Sequence, residues 1–541
     1  MKFRLATLTL LALGFSLGPA APWFAPRLAA QTVAASAPET RAAETAKLTP
    51  AALDALVAGQ PGGSAEGAAD GNESFLRRAS FDLIGRQPTL EEQRQFAAET
   101  SPQKYRDTVE RLLASEEFGA NWADYWCDTI AYRVPPPELT YLDYGPLKKW
   151  LAAKLSENTP WNEIVRDLLT AKGKVDDVPA ATFVGYHDAN PTNLAGETSR
   201  IFLGQQIGCA QCHDHPFDHW KRTQFHELAA FFARVKAKLP HNDGGATVVT
   251  SVNKGEYLMP NLEDPRKKGS QMQPGFFDGQ LLKKGQSDER RRGELADWIT
   301  ARDNPWFAKA FTNRIWARTM GRGFYEPVDD LGDSRRPLWT QAHDALARHF
   351  TATGYDIKDL FRLIANTEAY RRGVRMTDAA QTDAAPLRLR GDEVFAALAV
   401  GIELPNVTPP KVEPTGAIRF PPPPKSTRDL VNDAFGADPS LSPVDAPRTM
   451  AQALWMMNNE QLQNEIDAAP ESGTMLSRLL AAQQDDHAAC RELYIRVLAR
   501  AATQDELRVA DEHIKTLGDR GAAFEDLLWS LVNSAEFTSR R

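Results

Sequence analysis

The stretch Gly208-Cys209-Ala210-Gln211-Cys212-His213-Asp214-His215-Pro216-Phe217-Asp218-His219-Trp220 holds two of the chain's four cysteines and three of its ten histidines. Cys-x-x-Cys-His is the attachment signature of a c-type haem, with Cys209 and Cys212 forming thioethers and His213 ligating the iron. The same residues suit zinc. Cys209 and Cys212 would act with two of His213, His215 and His219, and the last two have His-x3-His spacing. A third reading is a Cys209–Cys212 disulfide, or two buried thiols, with the histidines in a polar loop. Pro216 pushes His215 out of helical geometry, so a helix carrying the cysteines is predicted to end about one residue after His213.

None of these bonds is needed merely to fold. A chain of 541 residues, 42% hydrophobic and 25% charged, can bury a large core. The net charge of −8 argues against a nucleic-acid partner. The basic runs Arg266-Lys267-Lys268 and Arg290-Arg291-Arg292 are too short for a binding stripe. At the N-terminus, Lys2 and Arg4 precede the apolar run Leu5–Leu17, and small-residue cleavage sites follow at Ala20-Ala21 and Leu28-Ala29-Ala30. This is the pattern of an export signal over 1–30. The run is too short to span a bilayer comfortably. The protein is expected to be exported, periplasmic or extracellular, and membrane-anchored if the signal stays uncleaved. No later stretch could span a membrane.

Outward from the motif, the periodicity is helical almost everywhere. Residues 31–72 are rich in Ala, Thr, Pro and Gly and read as a linker with one weak helix at Pro50–Ala58. Phe75–Ile84 is an apolar helix, and Thr89 with Glu92 forms a capping box for the next. Further helices are predicted at Tyr105–Leu113, Trp122–Tyr132, Leu147–Leu155, Trp161–Leu169 and Ser199–Ile207, with 173–197 irregular and polar. Phe225, Leu228, Ala229, Phe232 and Val235 share a helical face. Between 244 and 289 the pattern shifts to short strands, Thr247–Thr250 and Glu256–Met259, joined by Gly and Pro turns. Helices resume at Glu294–Thr300, Phe307–Met320, Thr340–Thr351, Ile357–Asn366 and Asp392–Gly401. Residues 404–447 contain eleven prolines and read as an extended strap. The remainder is helical. The endings Leu112–Phe118, Ile364–Tyr370 and Leu531–Phe537 share a type: a helix closes on small polar residues, then an aromatic can fold back onto the core.

The motif, with Phe202-Leu203-Gly204 before it and Phe231-Phe232-Ala233-Arg234-Val235 after it, resembles the planctomycete cytochrome-like domain of unknown function. Phe75–Pro88 and Leu112–Trp126 are similar to that domain's helical start. Asn304–Ala308, Asn313–Trp316, Gly321–Phe324, Pro327–Asp330, Gly354–Asp356 and Ala453–Asn459 resemble its usual planctomycete-specific C-terminal partner. Many such relatives carry a separate upstream cytochrome c domain. This chain has no Cys-x-x-Cys-His motif before Cys209, so any haem c must attach at Cys209 and Cys212. His187, His219, His226, Met259 and Met272 are the residues available as a sixth ligand.

Elsewhere, Cys127 and Cys490 could bridge two domains or stand as buried thiols. Glu326, Asp329, Asp330 and Asp333 form an acidic loop, read as salt-bridged to Arg335-Arg336 rather than as a calcium site, with Arg314 and Arg318 within reach. His343 and His349 share a helix but do not face one site. No nucleophile elbow, phosphate loop, dinucleotide fingerprint or His-Glu-x-x-His motif occurs, so catalytic residues stay unassigned. The expectation is a mainly α, multi-helical protein with two packed helical domains, a small β insertion and a Pro-rich excursion. Its divisions are a signal at 1–30, a linker at 31–72, a helical domain at 73–243, the insertion at 244–289 and a second helical domain at 290–541. Its expected function is electron transfer by haem c with a redox partner protein. The alternatives are a zinc- or other metal-binding extracytoplasmic enzyme, and a non-catalytic structural or interaction protein.

Overall fold

In a computed structural model, residues 47–58, 72–132, 142–239, 246–371, 387–410, 424–443, 445–446 and 448–540 are described. The expected signal segment at 1–30 lies outside them, as does the linker apart from residues 47–58 and the first residue of the helix Asn72–Ile84. Helices dominate and the strands are two to four residues long. Among the described residues, no helix is long and apolar enough to cross a membrane.

The local signals behave as their chemistry dictates. Thr89 Oγ1 accepts from Glu92 N, and the Glu92 carboxylate accepts from Thr89 N at 2.8 Å, which starts the helix Leu90–Ala98. The three helix endings do the same job in three places. Phe118, Tyr370 and Phe537 are all fully buried, each turned back into the core just past a helix end. Burial of such a ring is worth about 2–3 kcal/mol relative to exposure.

Two hydrophobic clusters form the interior. The first runs from Leu53 to Tyr370 and the second from Leu389 to Phe537, with Phe81 reaching into the second from the N-terminal side. The helices Asp288–Ile299, Phe307–Met320 and Thr340–Ala352 belong to the first cluster, so along the chain one apolar cluster gives way to the other between 370 and 389. In the 244–289 region, Val248–Ser251 lies between Gly173–Lys174 and Val235–Lys238, antiparallel to both, with Val249 opposite Gly173 and Ala237. Leu258–Met259 pairs with Ser270–Gln271.

Three predicted segments differ. Residues 173–197 are not irregular throughout, because Asn190 caps a helix over Pro191–Thr198 by accepting from Thr192 N and Asn193 N. The helix expected over Ser199–Ile207 is a π-helical turn, Ser199–Leu203, that stops at the left-handed Gly204. The Pro-rich strap contains the helix Thr427–Phe435, opened by a Ser426–Asp429 capping box where prolines are absent. Its residues 411–423 lie outside the described residues.

Candidate functional site

The cysteine motif lies on a 3-10 turn, Gly208–Gln211, that ends before Cys212. No helix carries the cysteines as far as His213. Cys209 lies on the turn and Cys212 just past its end, and both thiols are unpaired and exposed rather than buried. His213 is exposed, and its Nδ1–H donates to the Asp214 carbonyl at 2.7 Å. That tautomer leaves the Nε2 lone pair free. Ligating histidines are commonly oriented in this way, by a second hydrogen bond from the other ring nitrogen. His215 Nδ1 accepts from Phe217 N at 3.3 Å, and its own N donates to the Trp220 carbonyl at 2.8 Å, which closes the loop over Pro216.

The turn is braced from behind by the helix Arg222–Ala229. His226 is buried. Its Nε2–H donates to the Gln211 carbonyl at 3.0 Å, and its Nδ1 accepts from the Tyr257 hydroxyl at 2.8 Å. Burial, outweighing the Gln211 hydrogen bond, lowers its pKa and keeps the ring neutral, as that two-sided arrangement requires. Arg222 N donates to the Asp214 carboxylate at 2.9 Å, and Lys221 pairs with the same group at 3.0 Å. These contacts hold the Asp214 carboxyl below the usual range, the Arg222 amide first and Lys221 second.

A second loop grips the same segment from the front. Leu331 N donates to the Gly204 carbonyl at 2.7 Å, and a side chain on Gly204 would strike Leu331. Asp329, fully buried, accepts from Arg200 and from Gln206 Nε2, each at 2.8 Å, and from the Ser440 hydroxyl at 2.6 Å. Burial raises its pKa, but Arg314 and Arg200 outweigh that and hold the carboxyl below its ordinary value. His219 Nδ1 lies 2.8 Å from carboxylate oxygens of both Asp218 and Asp333. Gly332 lets the loop approach, since a Cβ there would collide with Asp218. Asp218, His219 and Asp333 place one ligating atom each within 4.8 Å of one another, the one such group among the described residues. The acidic loop is thus salt-bridged, as expected for Asp330 with Arg335. Arg318 instead pairs with Glu393.

Residues 61–237 match the family described as PSCyt2, a protein of unknown function (DUF1549), and residues 291–393 match PSD1, a protein of unknown function (DUF1553). The chain joins the planctomycete cytochrome-like domain to its C-terminal partner domain. No curated protein and no solved structure matches it. The cysteine turn and its brace, His226, lie within the cytochrome-like match, whereas Asp329, Leu331 and Asp333 lie within the partner domain's match.

Of the other residues weighed as iron ligands, His226 has both ring nitrogens engaged. His187 is fully buried with neither nitrogen partnered, and burial lowers its pKa to about 4. His219 faces its two carboxylates. Cys127 and Cys490 are separate buried thiols in different clusters. The brace at His226 and the grip of Asp329 escape sequence reading, because each depends on a contact between segments distant in the chain.

Proposed function

We propose that this is an exported haem c protein of the electron-transfer type, with Cys209 and Cys212 as thioether residues and His213 as iron ligand. One observation carries the reading. His213 donates its Nδ1–H to the Asp214 carbonyl and leaves Nε2 free, beside two free, exposed thiols, one on the 3-10 turn and one just past its end. Two thiols and an available imidazole within five residues are the donor set that a covalently held haem requires. The haem would supply one-electron redox chemistry. The chain's residues would fix the ligand's tautomer through Asp214 and hold the turn rigid through His226 and Arg222. The exposed position would leave the group within reach of a partner protein. In a host with c-type maturation machinery, the full precursor should give a haem-staining band on a denaturing gel and the corresponding mass increment. The Cys209→Ala/Cys212→Ala variant should give neither. An unmodified mass in the wild-type chain sinks the proposal.

A second reading, a divalent-metal centre, is favoured by the convergence of Asp218, His219 and Asp333. Zinc-like ions accept one imidazole and two carboxylates. It predicts that zinc binds stoichiometrically to the purified chain and that His219→Ala abolishes this binding without affecting haem attachment.

A further inference from the structure

The structure holds a cavity of about 980 Å³. No residue of 199–238 lines it. One wall is the helix Glu116–Ala131, the others come from the chain after residue 313, and the volume lies at the upper end of the range for small-molecule sites. Phe435, Met456 and Trp529 contribute apolar surface.

Five arginines line the cavity, and three of them are answered by carboxylates. Arg314 faces Asp329 at 3.8 Å, Arg318 binds Glu393 at 2.6 Å, and Arg390 binds Asp392 at 2.7 Å. The guanidiniums of Arg388 and Arg448 have no ion pair or hydrogen bond among the described residues. They stand close enough to repel one another, and burial followed by that repulsion lowers the pKa of Arg388. Two guanidiniums without a carboxylate partner line this one cavity, Arg388 half-buried and Arg448 exposed, and both are available to an anion. The acidic groups nearby do not fill this role. Asp433 is engaged by Lys425 at 2.5 Å, and Asp438 accepts from Ser440 N at 2.8 Å. Asp128 comes from the Glu116–Ala131 helix, and its carboxyl has no recorded hydrogen bond. Burial, and after it the charge of Asp392, raises its pKa to about 7, so it opposes a bound anion less than an ordinary carboxylate would.

We propose that this cavity binds a small organic oxyanion, its charged head held between Arg388 and Arg448 and its apolar body against Phe435, Met456 and Trp529. Planar guanidiniums match carboxylate, sulfate and phosphate heads alike, so the shared chemistry is the oxyanion. The site does not depend on the haem reading, since no residue is common to the two.

The test is calorimetric titration of the full chain with 2-naphthoate, 2-naphthyl sulfate and 2-naphthyl phosphate, with neutral 2-naphthol as the control. At least one anion should bind saturably, one per chain and at least about tenfold more tightly than 2-naphthol, the scale of one lost charge-assisted hydrogen bond. Which anions bind identifies the head. Arg448→Gln alters an exposed residue and should weaken binding about tenfold while leaving the melting temperature unchanged. The Arg388→Gln/Arg448→Gln pair should reduce it to the level of 2-naphthol. Absence of saturable binding by all three anions, affinity equal to that of 2-naphthol, or an unchanged affinity in a folded Arg448→Gln variant would overturn the proposal.

Discussion

Arg200 and Asp329, 129 positions apart, meet at 2.8 Å with both side chains almost fully buried. This pair ties the segment leading into the cysteine turn to the loop of the partner domain. Arg200 is also held by Glu197 at 2.6 Å and donates to the Thr129 carbonyl at 2.9 Å. The guanidinium is therefore fixed by three separate stretches of chain, with Asp329 as its long-range anchor.

Removing that anchor leaves Arg200 and Arg314 without their shared carboxylate. Asp329→Ala should cost about 3–5 kcal/mol, the usual range for breaking a buried pair. The control is Glu512→Ala, which breaks the exposed Arg508–Glu512 pair and should cost less than about 0.5 kcal/mol. Urea denaturation midpoints of the two variants measure the contrast.

His226→Leu deletes the brace on the Gln211 carbonyl and strands the Tyr257 hydroxyl. A cost of about 1–3 kcal/mol is expected. Its local signature, in chain produced without haem attachment, is faster alkylation of Cys209 and Cys212 by iodoacetamide under native conditions. Tyr257→Phe should show the same signature more weakly, because the bond from His226 to Gln211 survives. Unchanged alkylation rates in both variants would count against a bracing role.

Acid should weaken the fold through two buried histidines. Burial lowers the pKa of His187 and of His343 to about 4 in each case, against about 6.5 when exposed. The unfolded chain therefore takes up these protons first as the pH falls. Stability is complete above about 6.5, declines between 6.5 and 4, and loses nothing more from these groups below that. The drop is up to about 3 kcal/mol per residue. His343→Gln can retain the bond to the Lys309 carbonyl, and it should flatten the stability slope across that window. A slope identical to that of the wild-type chain contradicts the assignment.

The C-terminal segment is stitched to the first long helix. Arg540 pairs with Asp82, both fully buried, and Arg77 donates to the carbonyls of Phe537 and Ser539 at 3.1 Å each. Arg540→Met strands the Asp82 carboxylate, whose remaining recorded donor is the Tyr370 hydroxyl at 2.8 Å. The expected cost is about 3–5 kcal/mol, read from the thermal midpoint. An Arg540→Met/Asp82→Leu double variant should recover part of it, because the stranded charge is gone.

The amino-acid sequence by itself determined the helical class, most helix boundaries and the position of the cysteine motif. Those properties rest on interactions within a few residues of one another. The Thr89–Glu92 cap, the period that buries Ile164, Leu168 and Leu169, and the returning aromatics at Phe118, Tyr370 and Phe537 are all of this kind. The cap at Asn190 and the box at Ser426–Asp429 were equally local, and the irregular and Pro-rich surroundings masked them. What only the tertiary structure decided is everything that depends on segments far apart. Asp333 meets His219 across 114 positions, His226 turns inward to hold Gln211, and the interior divides after Tyr370. Local periodicity carries no information about which distant carboxylate will answer a buried guanidinium, because that choice is made by packing and desolvation once the helices have come together. The same holds for Arg388 and Arg448, two ordinary charges in the sequence that the fold leaves facing one cavity without a carboxylate between them.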